Sequence, residues 1–317
     1  MLLTTYYKMN FSDNKIKIII GFIVYGQHTF KYLPFFLPSL KKQTFQNFKI
    51  TAFNNGQAGD ENERYLRTNY PEIEIMAEGK NFGFAAAYNR MIARAKNEQA
   101  DYFLMTNSDI IFEPDVLEKL TQKLEADKDL GSASPKILKW NFAENKKTDF
   151  VDSYGIALKS GLRFFDVGQG KRDSEKFRQA NIIGPSGACG LFRMAALEHV
   201  KEDEKYLDER MFMYKEDCDL AYRFYLSGQK SVCVPEAVIY HDRTASAAGI
   251  GDLAAIKARQ EKSLAVRRWS LLNQQLIFKK YWHLQNFWSK LNIIWFRLKI
   301  FVYISIFERD LLKALTF

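Results

Sequence analysis

From residue 16 to about 135, short β-rich runs alternate with helical stretches, and that order constrains the fold of this chain most. Residues 18–24 run Ile-Ile-Ile-Gly-Phe-Ile-Val without polar alternation, which suits a central strand covered on both faces. A helix is expected over 33–42, with Pro34 in its first turn where a missing N–H costs little. A strand follows at 48–53, then a helix at 60–69 capped by Asp60 and stopped before Pro71. Further strands are expected at 72–76 and 102–106. The helix between them, 84–96, is rich in alanine, and another opens at Pro114 and runs to 126. This βαβαβαβα order predicts an α/β fold with a mostly parallel central sheet and helices on both faces. Ligands of such sheets bind beyond the carboxyl ends of the strands, so the loops at 25–30, 54–59, 77–83 and 107–113 hold the candidates.

The rest of the chain is less regular. A hairpin over 154–167 should turn near Ser160-Gly161. Gly184, Gly187 and Gly190 punctuate a strand leading to Phe192. A helix is expected at 217–226 and short strands at 231–234 and 237–240. From 252 onward nearly everything permits helix. With no repeat and no Gly/Ser linker, the expected division is a ligand-binding domain over 1–245 and a helical appendage over 246–317. Hydrophobic residues at 47% and charged residues at 26% exclude a disordered or collagen-like chain. Three cysteines without CxxC spacing argue against a disulfide framework or zinc site and for a reducing compartment. The first fifteen residues show no apolar core of a signal peptide, and the apolar run at 16–25 is too short for a span. A cytoplasmic location is expected.

Several polar clusters fall where ligands should be. Asn107-Ser108-Asp109 follows the fourth strand; a carboxylate there fits a hard divalent cation shared with a phosphate, and fits a turn cap equally. Asn81 to Asn89, with Gly83 and Phe84, opens a helix whose N-terminus favours anions, or simply caps it. The small run Gly184 to Gly190 permits close approach of a sugar, or a bulged strand. Tyr214 to Leu220 is the densest acidic cluster. Glu216 or Asp217 could cap a helix, and either could serve as a general base at its start. His241 ends a strand and is a metal-ligand type, though a surface histidine satisfies the same position.

Together and in this order, these pieces resemble family 2 glycosyltransferases with the GT-A (Rossmann-like) fold, bacterial rhamnosyltransferase-like members above all. The likeness runs from about Lys17 to Lys280. It implies nucleotide and donor binding by Tyr25, Asn54, Asn55, Asn81, Gly83, Phe84, Asn89, Asn107, Ser108 and Asp109. It implies contact with donor or acceptor sugar by Ser186, Gly187, Ala188 and Cys189. Asp217, with Glu216 before it, takes the place of the catalytic base, and Asp109 with His241 that of the ligands of Mg²⁺ or Mn²⁺. The implied reaction inverts the anomeric carbon of a nucleotide-diphosphate sugar, with rhamnose as candidate, on a lipid-linked or cell-envelope glycan acceptor. A non-catalytic relative of the same fold is the alternative. Two positions depart from the family. Asn54 stands where an Asp is usual, although an amide oxygen still accepts from a pyrimidine N3–H. Asn107 replaces a possible first carboxylate, which leaves Asp109 most of the charge.

The net charge is +9, and all of it lies in the last fifth. Residues 1–256 balance, whereas 257–299 hold ten Lys and Arg against Glu261 alone. Four of the five Trp lie there too. A basic helix with Trp and Phe on its apolar side suits an anionic membrane surface, reached peripherally from the cytoplasm. The other reading is packing on the catalytic domain or on a second subunit as a homo-oligomer. No nucleic-acid-binding motif accompanies the basic tail.

Overall fold

A computed structural model describes residues 16–243 and 262–314. The boundary expected near 245, the N-terminal fifteen residues, and Lys257, Arg259 and Glu261 of the tail lie outside the described residues.

Strands β1 (Ile18–Val24), β2 (Phe48–Asn54), β3 (Glu74–Ala77) and β4 (Tyr102–Thr106) pair in parallel in the order β3-β2-β1-β4. Helices α1 (Gly26–Phe30), α2 (Leu33–Lys41), α3 (Glu61–Asn69) and α4 (Gly83–Asn97) connect them. The unbroken apolar run of β1 is explained by its two neighbouring layers. Ile18, Ile20, Phe22 and Val24 pack with Leu33, Phe36 and Leu40 of α2. Ile19 packs on the other face with Tyr88, Met91 and Ile92 of α4. Each such fully buried side chain contributes about 1.5–3 kcal/mol. Gly21 is required mid-strand because a Cβ there would stand 2.4 Å from the Phe103 ring. Asp60 caps α3 as expected, accepting from the Glu63 N–H at 3.0 Å.

Beyond β4 the sheet is mixed. The added elements are β5 (Ile110–Phe112), α5 (Val116–Ala126), β6 (Leu130–Asn141) and β7 (Lys146–Ser153). The expected hairpin is β8 (Ile156–Lys159) with β9 (Arg163–Asp166), followed by α6 (Glu175–Arg178). Next come β10 (Cys189–Arg193), α7 (Met194–Val200), α8 (Glu216–Leu226) and β11 (Lys230–His241). The sheet continues β4-β10-β6-β11-β5, with β7 on β6. β10 is antiparallel to both of its neighbours, so the parallel run breaks at β4 and parallel pairing recurs only between β6 and β11. The strand expected through the three glycines begins only at Cys189. Residues 184–188 form a tight loop, because a Cβ on Gly190 would stand 2.4 Å from the Pro185 side chain. The two short strands expected at 231–240 are one strand, β11, interrupted by a register shift between Val234 and Val238.

Two long helices close the chain, α9 (Leu264–Tyr281) and α10 (Phe287–Phe307). Ile277, Phe278 and Tyr281 of α9 and Ile293 of α10 share a buried cluster with Met211, Cys218, Ala221 and Tyr222. The tail thus completes the core beneath α8.

Candidate active site

The antiparallel insertion of β10 determines the site. Because Cys189 pairs with Thr106, the small-residue loop before β10 arrives at the carboxyl end of β4. The Asn107 N–H donates to the Ala188 carbonyl at 2.9 Å, joining the two segments. Across that loop stands Asp217, in the first turn of α8. Its carboxylate accepts from the Gly187 N–H at 3.0 Å and from the Cys218 N–H at 2.7 Å. A Cβ on Gly187 would stand 3.1 Å from the Asp217 side chain, so glycine permits that approach. Ser186, Gly187 and Asp217 line one small pocket with Met105 and Gly184. Ala188 and Cys189 are buried, and burial pushes the Cys189 thiol up to about 12.

Glu216 is placed differently from its neighbour. It is buried, and its Oε2 has no hydrogen-bond partner. Burial first, and then the charge of Asp217, hold its carboxyl well above the carboxylate range. Its neutral form is thereby favoured, while Asp217 meets the pocket. The turn leading into them is strained: Tyr214 has φ 72° and Lys215 φ 74°, conformations that cost on the order of 1–3 kcal/mol each. Asn273 of α9 holds this turn, its amide donating to the Met213 carbonyl at 2.9 Å and to the Tyr214 carbonyl at 2.7 Å.

At the far edge of the sheet β11 ends beside β5, and the Asp242 N–H donates to the Asp109 carbonyl at 3.0 Å. This brings His241 to Asp109, with Nε2 to Oδ1 at 3.2 Å. His241 Nδ1 meets Asp152 Oδ2 at 2.8 Å. Arg243 bridges Asp152 at 3.3 Å and Asp166 at 3.0 Å. Burial alone would lower the His241 imidazole, but Asp109 and Asp152 override it and push it up to about 10. Burial opposes the Asp152 carboxylate, yet the His241 hydrogen bond and the Arg243 charge hold it down at about 2. The Tyr32 hydroxyl donates to Asp242 at 2.6 Å.

The donor set at Asp109 and His241 fits a divalent cation of the Mg²⁺ or Mn²⁺ type. One carboxylate oxygen and one imidazole nitrogen converge as an ion pair; a cation would displace the Nε2 proton, because only the neutral ring ligates, and Asp152 would then fix the ring from Nδ1. Among the described residues no group of three or more His, Cys, Asp or Glu forms a complete protein cage, so the remaining ligands would be substrate oxygens and water.

The asparagines expected at the donor side face the protein itself. Asn54 is fully buried; its oxygen accepts from the Gly56 N–H at 2.9 Å and its amide donates to the Gln57 carbonyl at 3.1 Å. Asn55 clamps the start of α4, accepting from the Phe82 N–H at 2.8 Å and donating to the Gly83 carbonyl at 3.0 Å. Asn81 accepts from the Gly83 N–H at 2.8 Å, and the Phe84 N–H donates to the Phe212 carbonyl at 2.7 Å. Asn89 holds the 206–209 segment, accepting from the Leu207 N–H at 2.8 Å. Tyr25 is exposed and stacks on His28. Ser108 is buried and Asn107 partly so.

Comparison with known proteins decides the family. The profile of glycosyl transferase family 2 matches residues 20–201, more than half of the chain. The chain belongs to that family. It is 26% identical over 233 residues to the N-acetylglucosaminyl-diphospho-decaprenol L-rhamnosyltransferase of Mycobacterium tuberculosis, which covers 68% of this chain and 73% of the relative. Among solved structures it is similar to GalNAc-T7 with UDP, GalNAc and Mn²⁺, at TM-score 0.54 and 11% identity, over 73% of this chain. It spans 44% of that longer chain. It is also similar to S. aureus TarS 1-349 in complex with UDP, at TM-score 0.51 and 14% identity, over 80% of this chain and 68% of the other. The fold is that of the GT-A glycosyltransferases, and the chain is a glycosyltransferase.

Six network residues escaped the sequence reading of the site: Tyr32, Asp152, Asp166, Asp242, Arg243 and Asn273. The one available signal was the pair Asp242-Arg243 directly after a strand-ending histidine.

Proposed function

We propose that the enzyme moves a sugar, rhamnose in the first instance, from a nucleoside-diphosphate donor to a hydroxyl of a lipid-linked or cell-envelope glycan acceptor, with inversion. The observation that supports this most is the placement of Asp217. Two backbone N–H groups hold its carboxylate at the start of α8, against the glycine loop at the end of β4. A carboxylate anchored in that way takes the proton from an acceptor hydroxyl as the new bond forms. With the diphosphate leaving from the Asp109 side, attack comes from the opposite face, and one displacement inverts the anomeric carbon. Tyr25 and the loops shaped by Asn54, Asn55, Asn81 and Asn89 would cradle the nucleotide. Ser186 to Cys189 would border the sugars.

Asp109 and His241 would hold Mg²⁺ or Mn²⁺, whose chemistry when bound is electrostatic stabilisation of the negative charge on the diphosphate. The lipid-linked acceptor is suggested by the name of the mycobacterial relative, and such a substrate would suit an enzyme held peripherally on the cytoplasmic face of a membrane.

Asp217→Asn should lower kcat by about 10²–10⁴ and leave donor affinity, measured by calorimetry, near that of the parent. Turnover within about threefold of the parent would overturn the assignment. Chelation should abolish transfer and added Mn²⁺ restore it; full activity in excess chelator would remove the cation from the proposal. Thermal-shift screening of nucleotide sugars with Mn²⁺ would identify the donor.

A further inference from the structure

Helix α10 is apolar on two opposite sides. At about 100° per residue, Ser289, Ile293 and Ile304 fall on one stripe, and all three are buried against the body. The opposite stripe carries Leu291, Ile294, Trp295, Leu298, Val302 and Ile306, every one exposed. Phe287 and Trp288 extend it at the N-terminal end, exposed to 67% and 72%. A helix that is hydrophobic all round is normally buried all round, and a contiguous exposed apolar patch marks an interaction surface. Among the described residues nothing covers this one.

The charges around the stripe identify its partner. From 287 to 307 there is no Asp or Glu. The same angular spacing places Lys290 and Arg297 along one flank of the stripe and Lys299 along the other. An apolar band rimmed by cations matches a bilayer, whose acyl region lies below a layer of phosphates that long basic side chains can reach. A second copy of the chain matches poorly, since two such helices face to face would oppose cationic rims with no acidic residue between them.

The helix is also fixed lengthwise along the protein. At one end Ser289 Oγ accepts from the Gly161 N–H at 3.2 Å, and the Asn292 amide donates to Ser160 Oγ at 2.9 Å. At the other, Ile304 packs with Leu271 and Leu311. Among the described residues no helix is long and apolar enough to cross a membrane.

We infer that α10 lies flat in the surface of an anionic bilayer, its Leu291–Trp295–Leu298–Val302 stripe among the upper acyl chains and its three cations at the phosphates. This rests on the proposed function only for its purpose, delivery of a lipid-linked acceptor. The β8–β9 hairpin that holds α10 through Ser160 also carries Asp166, a partner of Arg243 at the site, so membrane and site lie on one hairpin.

The test is co-sedimentation of the full chain with vesicles of phosphatidylcholine alone or mixed with phosphatidylglycerol, with calorimetric titration of UDP and dTDP on the same preparations. The parent should bind anionic vesicles at least about tenfold more tightly than neutral ones. Leu298→Glu and Trp295→Glu, each placing a carboxylate on an already exposed position, should lose at least about tenfold of that binding while keeping the parent's melting temperature and nucleotide affinity. Parent protein that ignores anionic vesicles, or Leu298→Glu that binds them like the parent, would overturn the inference. So would a lipid-free dimer that Leu298→Glu dissociates. Loss of nucleotide binding with vesicle binding intact would instead count against the proposed function alone.

Discussion

Glu216 and Asp217 are adjacent in sequence and opposite in environment. Asp217 faces a pocket and accepts two backbone hydrogen bonds, whereas Glu216 is buried with one oxygen unpartnered. Substitution should separate them. Glu216→Gln keeps shape and neutrality and should retain activity within a few-fold, in contrast to Asp217→Asn. It should also change stability in a pH-dependent way. Burial raises the folded carboxyl above its unfolded value near 4.3, so below that value both states are protonated and the native acid carries no penalty. As pH rises past it, the unfolded chain ionises while the folded one does not, and stability falls until the folded group ionises too. The melting temperature of Glu216→Gln minus that of the parent should therefore grow with pH above about 4.3; a constant difference would show that Glu216 is ionised in the fold. Asp109, Asp217 and His241 were legible as candidates because their residue types fall at strand or helix ends. Asp152 was not: it lies 89 residues from His241, inside a strand that no periodicity announced. Asp152→Asn should weaken Mn²⁺ activation by about 10–100-fold through loss of the ring's orienting partner, read as the Mn²⁺ concentration for half-maximal rate. An unchanged Mn²⁺ profile would make Asp152 a purely structural residue.

At the scale of elements, β1, β2, β4, α2 and α4 followed from the sequence because each buries a hydrophobic pattern; α3, which buries only Leu66 beside Asn62 and Glu63, followed from its Asp60 cap, and β3, none of whose residues is buried, from its place in the alternation. β6 did not, since Gly131, Ser132, Ser134, Pro135 and Lys136 interrupt it. Two of its polar residues are satisfied across the fold, Ser132 by Ser231 and Lys136 by Asp173 at 2.8 Å each. Such pairing is invisible locally. The same holds for the turn at 213–215, whose left-handed residues are neither Gly nor Asn. Its conformation depends on Asn273, about 60 residues later in the chain. Asn273→Ala should leave two part-buried carbonyls without their amide donor, at a cost of about 1–3 kcal/mol. It should also let the Asp217 turn relax, lowering kcat more than donor affinity. Denaturant melts and steady-state kinetics on one preparation would show both; a stability loss with unchanged kcat would detach α9 from the site.

At the scale of the molecule, the tail that looked like an appendage is joined to the catalytic domain through α8. Ile277 is fully buried among Met211, Cys218, Ala221 and Tyr222, and Lys280 and Tyr281 both reach Asp219 of α8. Asp219 in turn holds Arg223 at 3.0 Å, whose guanidinium donates to the Val200 and Tyr206 carbonyls. A chain of buried contacts therefore runs from α9 through α8 to the segment that Asn89 clamps. Cooperative unfolding of sheet and tail as one unit is the consequence. Ile277→Ala should cost about 2–5 kcal/mol. At about 2–4 °C per kcal/mol for a domain of this size, a single transition should move down by roughly 4–20 °C. Helix signal, tryptophan fluorescence and nucleotide-induced stabilisation should fall together. If the tail were an independent unit, Ile277→Ala would instead give two transitions, with the nucleotide raising only the later one, because ligand stabilises only the unit that binds it.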